Sequence, residues 1–397
     1  MPKKLQRPSK IAFHPDYILI ILLSTLSVLS LLAIYGSLPL LSTGRSGFDL
    51  IIKQILWIII AIIMLVGLII LGVDRLFTSI KIIYWVLFGL LVLLLVDKYM
   101  IDLPLISPVN GTTAWITLPG LGTIQPSEFM KIALLILCAN IIHEHNQSKV
   151  TATFTDDIKL FAKIALYVVP ALILIVAQPD TGIPIIIALG ILVMLAVSGI
   201  RKEWIFYSGL FLIMSVSLFL FLFFNFEAVL INIVGASYRL NRLYGWLHTE
   251  QYISSYGLQL YQSLLAVGSS GLFGHGLQSV VINMIEPQND FIFAVFAQDF
   301  GFIGASFLIL IQLLLDLKII SIAMKFKGRR EKYLIAGVIG MLLFQQFQNM
   351  GMIIGLMPIT GITLPFISAG GSSLLSYVPA LAVLFVMSSN VIRKRTF

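Results

Sequence analysis

Ten apolar runs, each long enough to cross roughly 30 Å of hydrocarbon, constrain the fold of this sequence more than any other feature. They lie at 17–37, 50–72, 80–97, 128–143, 161–178, 183–199, 203–225, 291–320, 332–356 and 372–391. With 59% hydrophobic and only 11% charged residues, the chain lacks the polar surface that soluble domains need. We therefore predict a single all-α polytopic membrane domain over residues 1–397, with about ten transmembrane helices.

The basic residues between these runs indicate how the chain is oriented. If the N-terminus is cytoplasmic, roughly 20 of the 26 Lys and Arg residues fall on the cytoplasmic side. The other side then carries only Arg45, Lys53, Lys98, Lys131, Arg239 and Arg242. We therefore predict a cytoplasmic basic N-terminus at 1–16 and a cytoplasmic basic C-terminus at 392–397, in the cytoplasmic membrane. Because topology accounts for the net charge of +8, we expect no nucleic-acid partner.

One connection is much longer than the others. The segment 226–290, between the seventh and eighth predicted helices, mixes aromatic, polar and charged residues with glycine and is predicted to be extracytoplasmic. Its middle, 258–267, is apolar but too short to span, which favours an interfacial or re-entrant helix. Long structured loops on one side of a bundle often carry function, so we expect the chemistry on this side.

Several common kinds of site have no support in the sequence. The single cysteine, Cys138, lies in an apolar run, and the five histidines show no metal-ligand spacing. The chain has no phosphate-binding Gly-Lys-Ser loop and no dinucleotide fingerprint, so we expect no nucleotide cofactor.

Polar residues cost free energy when they lie in or near a membrane span. The first such group is the stretch Gln125-Pro126-Ser127-Glu128 followed by Lys131, at a predicted helix start. Glu128 and Lys131 are three residues apart and therefore share one helix face, where they can pair. Pairing lowers the cost of holding a charge near the membrane interior. The spacing leaves open whether the pair is structural or functional.

Two further groups lie at the predicted outer surface. Gln178-Pro179-Asp180 followed by Thr181 and Gly182 has the composition of a turn, and turn chemistry alone explains it. Arg239 and Arg242 are two of the few outward basic residues. Their guanidinium groups suit phosphate or pyrophosphate oxygens, and anchoring to lipid head groups is the alternative.

Asp290 lies where the long loop becomes an apolar helix. A carboxylate at this position can cap the helix. It can also act as a general base, because partial desolvation beside a lipid–water boundary raises its pKa toward neutrality.

Taken together, the motifs of this chain resemble those of the SEDS family of shape, elongation, division and sporulation proteins. The resemblance rests on Gln125-Pro126-Ser127-Glu128 with Lys131, Gln178-Pro179-Asp180, Tyr261-Gln262-Ser263 with Gly268-Ser269-Ser270-Gly271, Asp290-Phe291-Ile292-Phe293-Ala294, and Pro358-Ile359-Thr360-Gly361 through Pro365 to Ser373. The motifs occur in the family's order and extend over essentially the whole chain. Each motif is weak alone, but the set is specific.

The resemblance implies a ten-helix glycosyltransferase that polymerises lipid II, the undecaprenyl-pyrophosphate-linked precursor of peptidoglycan, into glycan strands. It implies that Asp290 is the essential acid and that Glu128, Lys131 and Asp180 are functional polar residues. As further candidate substrate contacts we name Arg239, Arg242, Gln262, Ser263, Gly370, Gly371 and Ser372. In the Gly370–Ser373 stretch, close backbone approach to sugar or phosphate and tight helix packing both remain open.

The resemblance also implies partners: lipid II, the nascent glycan strand, a class B penicillin-binding protein acting as transpeptidase, and the cell-elongation machinery. A divalent cation, Mg²⁺ or Mn²⁺, is a further expected group, because the leaving pyrophosphate develops negative charge. Within the family, Asn349-Met350-Gly351-Met352 followed by Gly355-Leu356 is more similar to the elongation branch, RodA, than to the division branch, FtsW.

The chain departs from the family pattern at two positions. Ala114-Trp115 stands where the family often has Arg-Trp, and Ala369 stands where it has Tyr. Two other classes of function remain open beside the glycosyltransferase. One is a lipid II flippase or ion-coupled transporter, since intramembrane carboxylates also serve transport, and the other is a structural scaffold for a cell-wall synthase.

Overall fold

The computed structural model of this chain describes residues 13–41, 47–100, 106, 113–118, 120, 122–148, 153–180, 182–226, 229 and 237–393. Of the predicted terminal segments, residues 1–12 and 394–397 therefore lie outside the described part. The side chain of Arg239, a predicted substrate contact, lies outside it as well.

Twelve α-helices make up most of the described chain. They are α1 (Tyr17–Ser37), α2 (Gly47–Leu71), α3 (Val73–Tyr99), α4 (Pro126–Ser148), α5 (Phe154–Ala177), α6 (Gly182–Val197), α7 (Lys202–Asn225), α8 (Ser237–Leu247), α9 (Leu258–Ser269), α10 (Ile292–Lys325), α11 (Arg329–Ile353) and α12 (Gly371–Arg393). Eight of these helices are long and apolar enough to cross a membrane. The predicted all-α polytopic membrane fold is confirmed.

Two long helices complete the bundle without meeting the same standard of length and apolarity. Helix α6 has 16 residues, and α11 has 25 residues but carries several glutamines and an asparagine. The two helices pack against each other, and both contact α4. Together with the eight spans, they give the ten long helices expected from the apolar runs.

Because successive long helices alternate in direction, their connections fall on two opposite faces. We call the face with Asp16 and Arg393 the terminal face, and the opposite one the loop face. On the terminal face, Lys318 Nζ lies 2.8 Å from the carboxylate of Asp16 and joins α10 to the start of α1. On the loop face, Gln125 Nε2 donates to Asp180 Oδ2 at 2.8 Å. Contacts of this kind close the bundle at both ends.

The loop face carries the remaining small elements. Strands β1 (Ile116–Leu118) and β2 (Gly122–Ile124) form an antiparallel hairpin just before α4. The long segment 226–290 contains α8, a 3₁₀ turn at Thr249–Tyr252 and α9. Helix α9 is the short apolar helix predicted at 258–267, and its 12 residues are too few to span a bilayer.

Helix α4 lies at the centre of the bundle. Nearly all of its residues from Pro126 to Ile142 are buried, and it packs against α3, α5, α6, α11 and α12. It is the least apolar of the eight spans, and its charged side chains would be costly against lipid, which accounts for its central position. Its N-terminal end therefore holds Glu128 and Lys131 inside the protein, close to the loop face.

Helix α10 is kinked at Gly301, whose φ of +67° is non-helical. The loop that follows α9 supplies the hydrogen bonds missing at the kink. The His275 amide donates to the Gln298 carbonyl at 2.9 Å, and the Phe302 amide donates to the Gly271 carbonyl at 2.9 Å. Only glycine adopts this conformation without strain. The kink therefore fixes how the first turns of α10, and Asp290 just before them, meet the loop face.

Helix α7 stands at the edge of the bundle. Almost all of its side chains are exposed, and they are predominantly apolar. Only Phe223 is buried, in a small cluster with Leu240 of α8. Such a surface suits contact with lipid rather than with water.

Candidate active site

The first polar cluster consists of Gln125, Glu128, Lys131, Asp180 and Ser372. Its centre is Lys131, which is fully buried and lies 2.5 Å from Glu128 Oε2. The Lys131 ammonium also lies 4.3 Å from the centre of the Tyr377 ring. A buried ammonium needs a charged partner, and the predicted pairing three residues apart supplies one. The geometry confirms the pair and leaves its role in catalysis a prediction.

Asp180 joins this cluster from the start of α6. Its Oδ1 accepts hydrogen bonds from the amides of Gly182 and Ile183 at 3.1 and 3.2 Å, so it caps the helix. Its Oδ2 accepts from Gln125 Nε2. Burial, together with the negative charge of Glu128, raises the pKa of Asp180 above its usual value, although the hydrogen bonds oppose this shift.

Ser372 ties the first turn of α12 to the hairpin. Its Oγ accepts from the Gln125 amide at 3.0 Å and donates to the Thr123 carbonyl at 3.2 Å. The neighbouring glycines fit closely against α2. The Gly370 amide donates to Gln54 Oε1 at 3.3 Å, and a side chain at Gly371 would collide with the Trp57 ring. These contacts are of the packing kind, and the predicted substrate contacts at 370–372 stay predictions.

The second polar cluster consists of Arg242, Glu286, Asp290 and Gly361. Asp290 is half-buried and comes two residues before α10, whose N-terminal cap is Phe291. Within residues 237–393, the Asp290 carboxylate makes no capping bond to this helix. Burial and, less strongly, the negative charge of Glu286 raise the pKa of Asp290 to about 6, while the Arg242 guanidinium opposes the shift. A carboxylate with this pKa can accept a proton near neutral pH.

Glu286 is held in an uncommon backbone conformation, with φ of +52°. Its Oε2 accepts hydrogen bonds from Gln288 Nε2 at 2.8 Å and from Asn289 Nδ2 at 2.9 Å. Non-glycine residues in the left-handed region are strained, and they keep this backbone conformation only where surrounding contacts hold it in place. The hydrogen bonds from Gln288 and Asn289 hold Glu286 in this conformation, and they fix the turn that leads to Asp290.

A loop between α11 and α12, residues 354–370, lies between the two polar clusters. Asn349, at the end of α11, donates from Nδ2 to the carbonyls of Asp290 and Ile362, both at 2.8 Å. A Cβ placed on Gly361 would lie 3.3 Å from Asp290 Oδ2. On the other side, a Cβ on Gly182 would lie 3.1 Å from the Ile362 side chain. The loop therefore contacts the Asp290 turn and the start of the Asp180 helix at neighbouring residues.

The remaining predicted contacts lie on α8 and α9. Arg242 Nη1 donates to the Ile359 carbonyl at 3.3 Å, which brings its charge to the Asp290 side of the loop. Gln262 Oε1 is buried without a hydrogen-bond partner among the described residues. Ser263 is fully buried, with its Oγ 3.1 Å from the Ile353 carbonyl. Helix α9 thus packs against α10 and the end of α11, and Ser263 bonds to α11 rather than to either polar cluster.

The sequence analysis missed Tyr377, which contacts the first cluster, and Gln345, which contacts Tyr377. Tyr377 of α12 covers the Lys131 ammonium, and its hydroxyl makes a short hydrogen bond to Gln345 of α11. The available signal was the set of amide side chains in an otherwise apolar helix: Gln345, Gln346, Gln348 and Asn349. Polar groups in such a helix need buried partners, so these residues should face the bundle.

The expected divalent cation would need carboxylate or imidazole side chains grouped among the residues that the structure describes. Among those residues, no group of three or more His, Cys, Asp or Glu side chains is placed to hold a metal ion. Asp290 and Glu286 interact electrostatically, and together they offer carboxylate oxygens of the kind that Mg²⁺ and Mn²⁺ prefer.

Comparison with known proteins assigns the chain to a family. Residues 16–392 match the model of the FtsW, RodA and SpoVE cell cycle proteins. The chain is 34% identical to stage V sporulation protein E of Bacillus subtilis over 282 residues, covering 70% of this chain and 72% of that protein. It is 33% identical to a probable peptidoglycan glycosyltransferase FtsW of Lactococcus lactis over 304 residues, covering 73% and 71%.

Solved structures support the same fold. The chain superposes on a chain from a peptidoglycan synthase complex, described as coordinating polymerization and crosslinking, with a TM-score of 0.70 and 24% identity, covering 94% of this chain and 98% of the other. Against the rod shape determining protein RodA of Thermus thermophilus, the TM-score is 0.63 and the identity 24%, covering 96% and 98%. With the family model extending over nearly the whole sequence, this chain belongs to the FtsW/RodA/SpoVE family of membrane proteins.

Proposed function

We propose that this protein is a peptidoglycan glycosyltransferase that polymerises lipid II into glycan strands. The observation that carries the proposal is the second polar cluster, in which Asp290 is half-buried, has a pKa of about 6 and faces the charge of Arg242. A base and a cation on one side of a loop suit the transfer of a sugar from a pyrophosphate. Relatives named as probable peptidoglycan glycosyltransferase FtsW support this choice of reaction.

In the proposed reaction, Asp290 takes the proton from the C4 hydroxyl of the acceptor sugar. The hydroxyl oxygen attacks the anomeric carbon of the donor strand and forms the new glycosidic bond. The bond from that carbon to the pyrophosphate oxygen breaks, and its electron pair leaves with undecaprenyl pyrophosphate. A single displacement of this kind inverts the anomeric carbon.

Positive charge near Asp290 stabilises the leaving pyrophosphate in this proposal. Arg242 is best placed among the described basic residues, because its charge acts on Asp290 directly. Lys131 is already paired with Glu128, so it contributes to the site through the first polar cluster. Asp290 and Glu286 would hold a divalent cation, Mg²⁺ or Mn²⁺, which would supply further neutralisation of the negative charge on the leaving group.

We propose that the loop face is extracytoplasmic and that both termini are cytoplasmic, because basic residues are concentrated on the terminal face. The prenyl chains of both substrates require a surface that is open to lipid. The exposed apolar side chains of α7 and the apolar stretch of α9 provide candidate walls for them.

The protein partner and the branch of the family are also proposals. We propose a class B penicillin-binding protein as the crosslinking partner, supported by the fold shared with a chain of a peptidoglycan synthase complex. The motif at 349–356 predicts the elongation branch and its machinery, whereas relatives named FtsW and stage V sporulation protein E support a division or sporulation role. The elongation role stays a prediction.

Transport of lipid II across the membrane is the second candidate function. One observation favours it: buried charged groups continue below the loop face, with Lys131 fully buried and Asp316 of α10 only 2% exposed. A transporter needs such groups inside the bundle. A flippase would move lipid II without lengthening it.

The test is polymerisation of labelled lipid II by the purified protein, alone and with a co-purified transpeptidase, read as glycan length. An Asp290→Asn variant should lose at least about a hundredfold in rate, the usual contribution of a general base. Asp74→Asn is the matched control, because Asp74 is an exposed acid on the terminal face. Polymerisation at the wild-type rate by Asp290→Asn would contradict the assignment of the base. Lipid II transfer between leaflets of vesicles without any polymer would instead support the transporter.

A further inference from the structure

A groove of about 220 Å³ lies between α3, α4 and α5, near the terminal face and away from both polar clusters. Its polar lining includes Lys81 of α3, Lys163 of α5 and Glu144 of α4. Neither the proposed reaction nor the polar clusters of the loop face use these residues. The groove therefore calls for a separate explanation.

The charge of the groove is positive. Lys81 and Lys163 are exposed, and neither has an ion-pair partner among the described residues. Glu144 offsets one of the two charges, which leaves a net charge of about +1 for the lining at neutral pH. Two lysines that converge on one groove from different helices favour an anionic ligand that accepts hydrogen bonds from both.

The apolar part of the groove lies deeper in the bundle than the charged part. On α4, Leu137 is about 10 Å farther from the terminal face than Glu144, and on α5, Leu166 is about 4 Å deeper than Lys163, at a rise of about 1.5 Å per residue. Leu137 and Leu166 line the same groove. The lining is therefore charged toward the membrane surface and apolar toward the membrane interior, as an amphiphile requires.

The walls of the groove are tied together by contacts that need no ligand. Asn140 Nδ2 donates to the Phe77 carbonyl at 2.7 Å and joins α4 to α3. The Tyr84 hydroxyl donates to the Tyr167 carbonyl at 2.9 Å and joins α3 to α5. The Tyr84 and Tyr167 rings also meet edge to face, with centroids 5.4 Å apart. The groove is preformed, so a ligand entering it does not have to order its walls.

We propose that this groove binds an anionic glycerophospholipid from the leaflet that meets the terminal face. The lipid phosphate lies between Lys81 and Lys163, and one acyl chain follows Leu137 and Leu166 toward the membrane interior. The two-part lining selects a lipid over free phosphate, which has no chain for the apolar part. It also selects an anionic head group over a zwitterionic one, whose ammonium group would meet the lysines. This proposal is independent of the reaction proposed for the loop face.

The test is native mass spectrometry of the purified full-length protein with added phosphatidylglycerol, phosphatidylcholine or inorganic phosphate. The double variant Lys81→Ala/Lys163→Ala should bind phosphatidylglycerol about 25-fold more weakly than the wild type, about fivefold for each lysine. Glu144→Gln should bind it about fivefold more tightly, because a repulsive charge is removed. The wild type should retain neither phosphatidylcholine nor phosphate at the same concentration.

The matched control is Lys159→Ala/Lys325→Ala, which removes two lysines from the terminal face outside the groove. In the structure Lys159 pairs with Asp156 and Lys325 donates to Ser321. The control should bind phosphatidylglycerol as the wild type does. Equal loss in both double variants would overturn the site in favour of a diffuse surface charge. Unchanged binding in the groove variant would overturn it as well, and so would equal retention of phosphatidylcholine. Elution of each variant as a single species on size exclusion, with the wild-type unfolding midpoint, verifies that it is folded.

Discussion

The buried pair of Lys131 and Glu128 offers the sharpest test of what the first polar cluster does. Replacing Lys131 by Met keeps an unbranched chain of four side-chain atoms but removes the ammonium that lies 2.5 Å from Glu128 Oε2. The Glu128 side chain is only 10% exposed, so its carboxylate is left without its charged partner in a buried site. The contact between the ammonium and the Tyr377 ring is lost as well.

The expected cost follows from this geometry. Removing one partner of a buried ion pair destabilises a protein by about 3–5 kcal/mol, because an uncompensated charge remains. Glu128→Gln should cost a similar amount for the same reason, since Lys131 is fully buried. The double variant Glu128→Gln/Lys131→Met leaves no buried charge, and neutral replacements of a buried pair are often tolerated. We therefore expect the double variant to be more stable than either single variant.

The assay is unfolding of the purified protein in detergent, followed by intrinsic tryptophan fluorescence, together with lipid II polymerisation. Lys159→Met is the matched control, because Lys159 and Asp156 form an exposed pair at the same spacing of three residues. It should leave the unfolding midpoint unchanged. A Lys131→Met protein as stable as the wild type, or a double variant less stable than both single variants, would refute the reasoning. If the double variant is stable but inactive, the pair acts in the reaction; if it is stable and active, the pair is structural.

Three further predictions concern Asp290. Because its pKa is raised to about 6 and a base must be ionised, kcat/KM should fall about tenfold per pH unit below pH 6 and level off above it, as a pH–rate profile would show. A Gly361→Ala variant should lower kcat far more than a Gly355→Ala variant, because only a side chain at 361 crowds Asp290 Oδ2. Both glycines have φ near +78°, so the two variants should be destabilised to a similar extent. Equal kcat values in the two variants would contradict this prediction. An Asn349→Ala variant should lose about tenfold in kcat, since the carbonyls of Asp290 and Ile362 lose their hydrogen-bond donor. A Gln348→Ala variant loses only the bond to the Pro358 carbonyl and should lose less kcat in the same steady-state assay.

The sequence predicts the helices of this protein well because the bilayer imposes a single requirement on each span. A segment that crosses hydrocarbon must satisfy its own backbone hydrogen bonds and be apolar for about 20 residues. The start of α4 was also predictable, since Pro126 and Ser127 favour a helix N-terminus. The pairing of Glu128 with Lys131 follows from helix geometry alone, because a spacing of three residues places both on one face.

The features that the sequence leaves open depend on contacts between distant parts of the chain. In the sequence Gly301 is one glycine in an apolar run, and nothing there predicts a kink. The kink of α10 at Gly301 depends on the segment after α9, which supplies the missing hydrogen bonds. Arg242 reaches the Asp290 side of the loop because α8 is bonded to that loop, through Arg242 to the Ile359 carbonyl and through Trp246 to the Gly355 carbonyl. Asp290 could have been a helix cap on sequence alone, and the structure shows that Phe291 holds that position instead.

The absence of capping has a consequence for how Asp290 is controlled. Because the carboxylate makes no bond to the first turn of α10 within residues 237–393, it is available to a substrate hydroxyl. Its backbone is instead fixed by Asn349, which also holds the Ile362 carbonyl. The position of the base therefore depends on the end of α11 and on the loop that follows. A displacement of about 1 Å can cost a reaction a hundredfold in rate. A partner that shifts the end of α11 would thus change the rate at Asp290 without touching it.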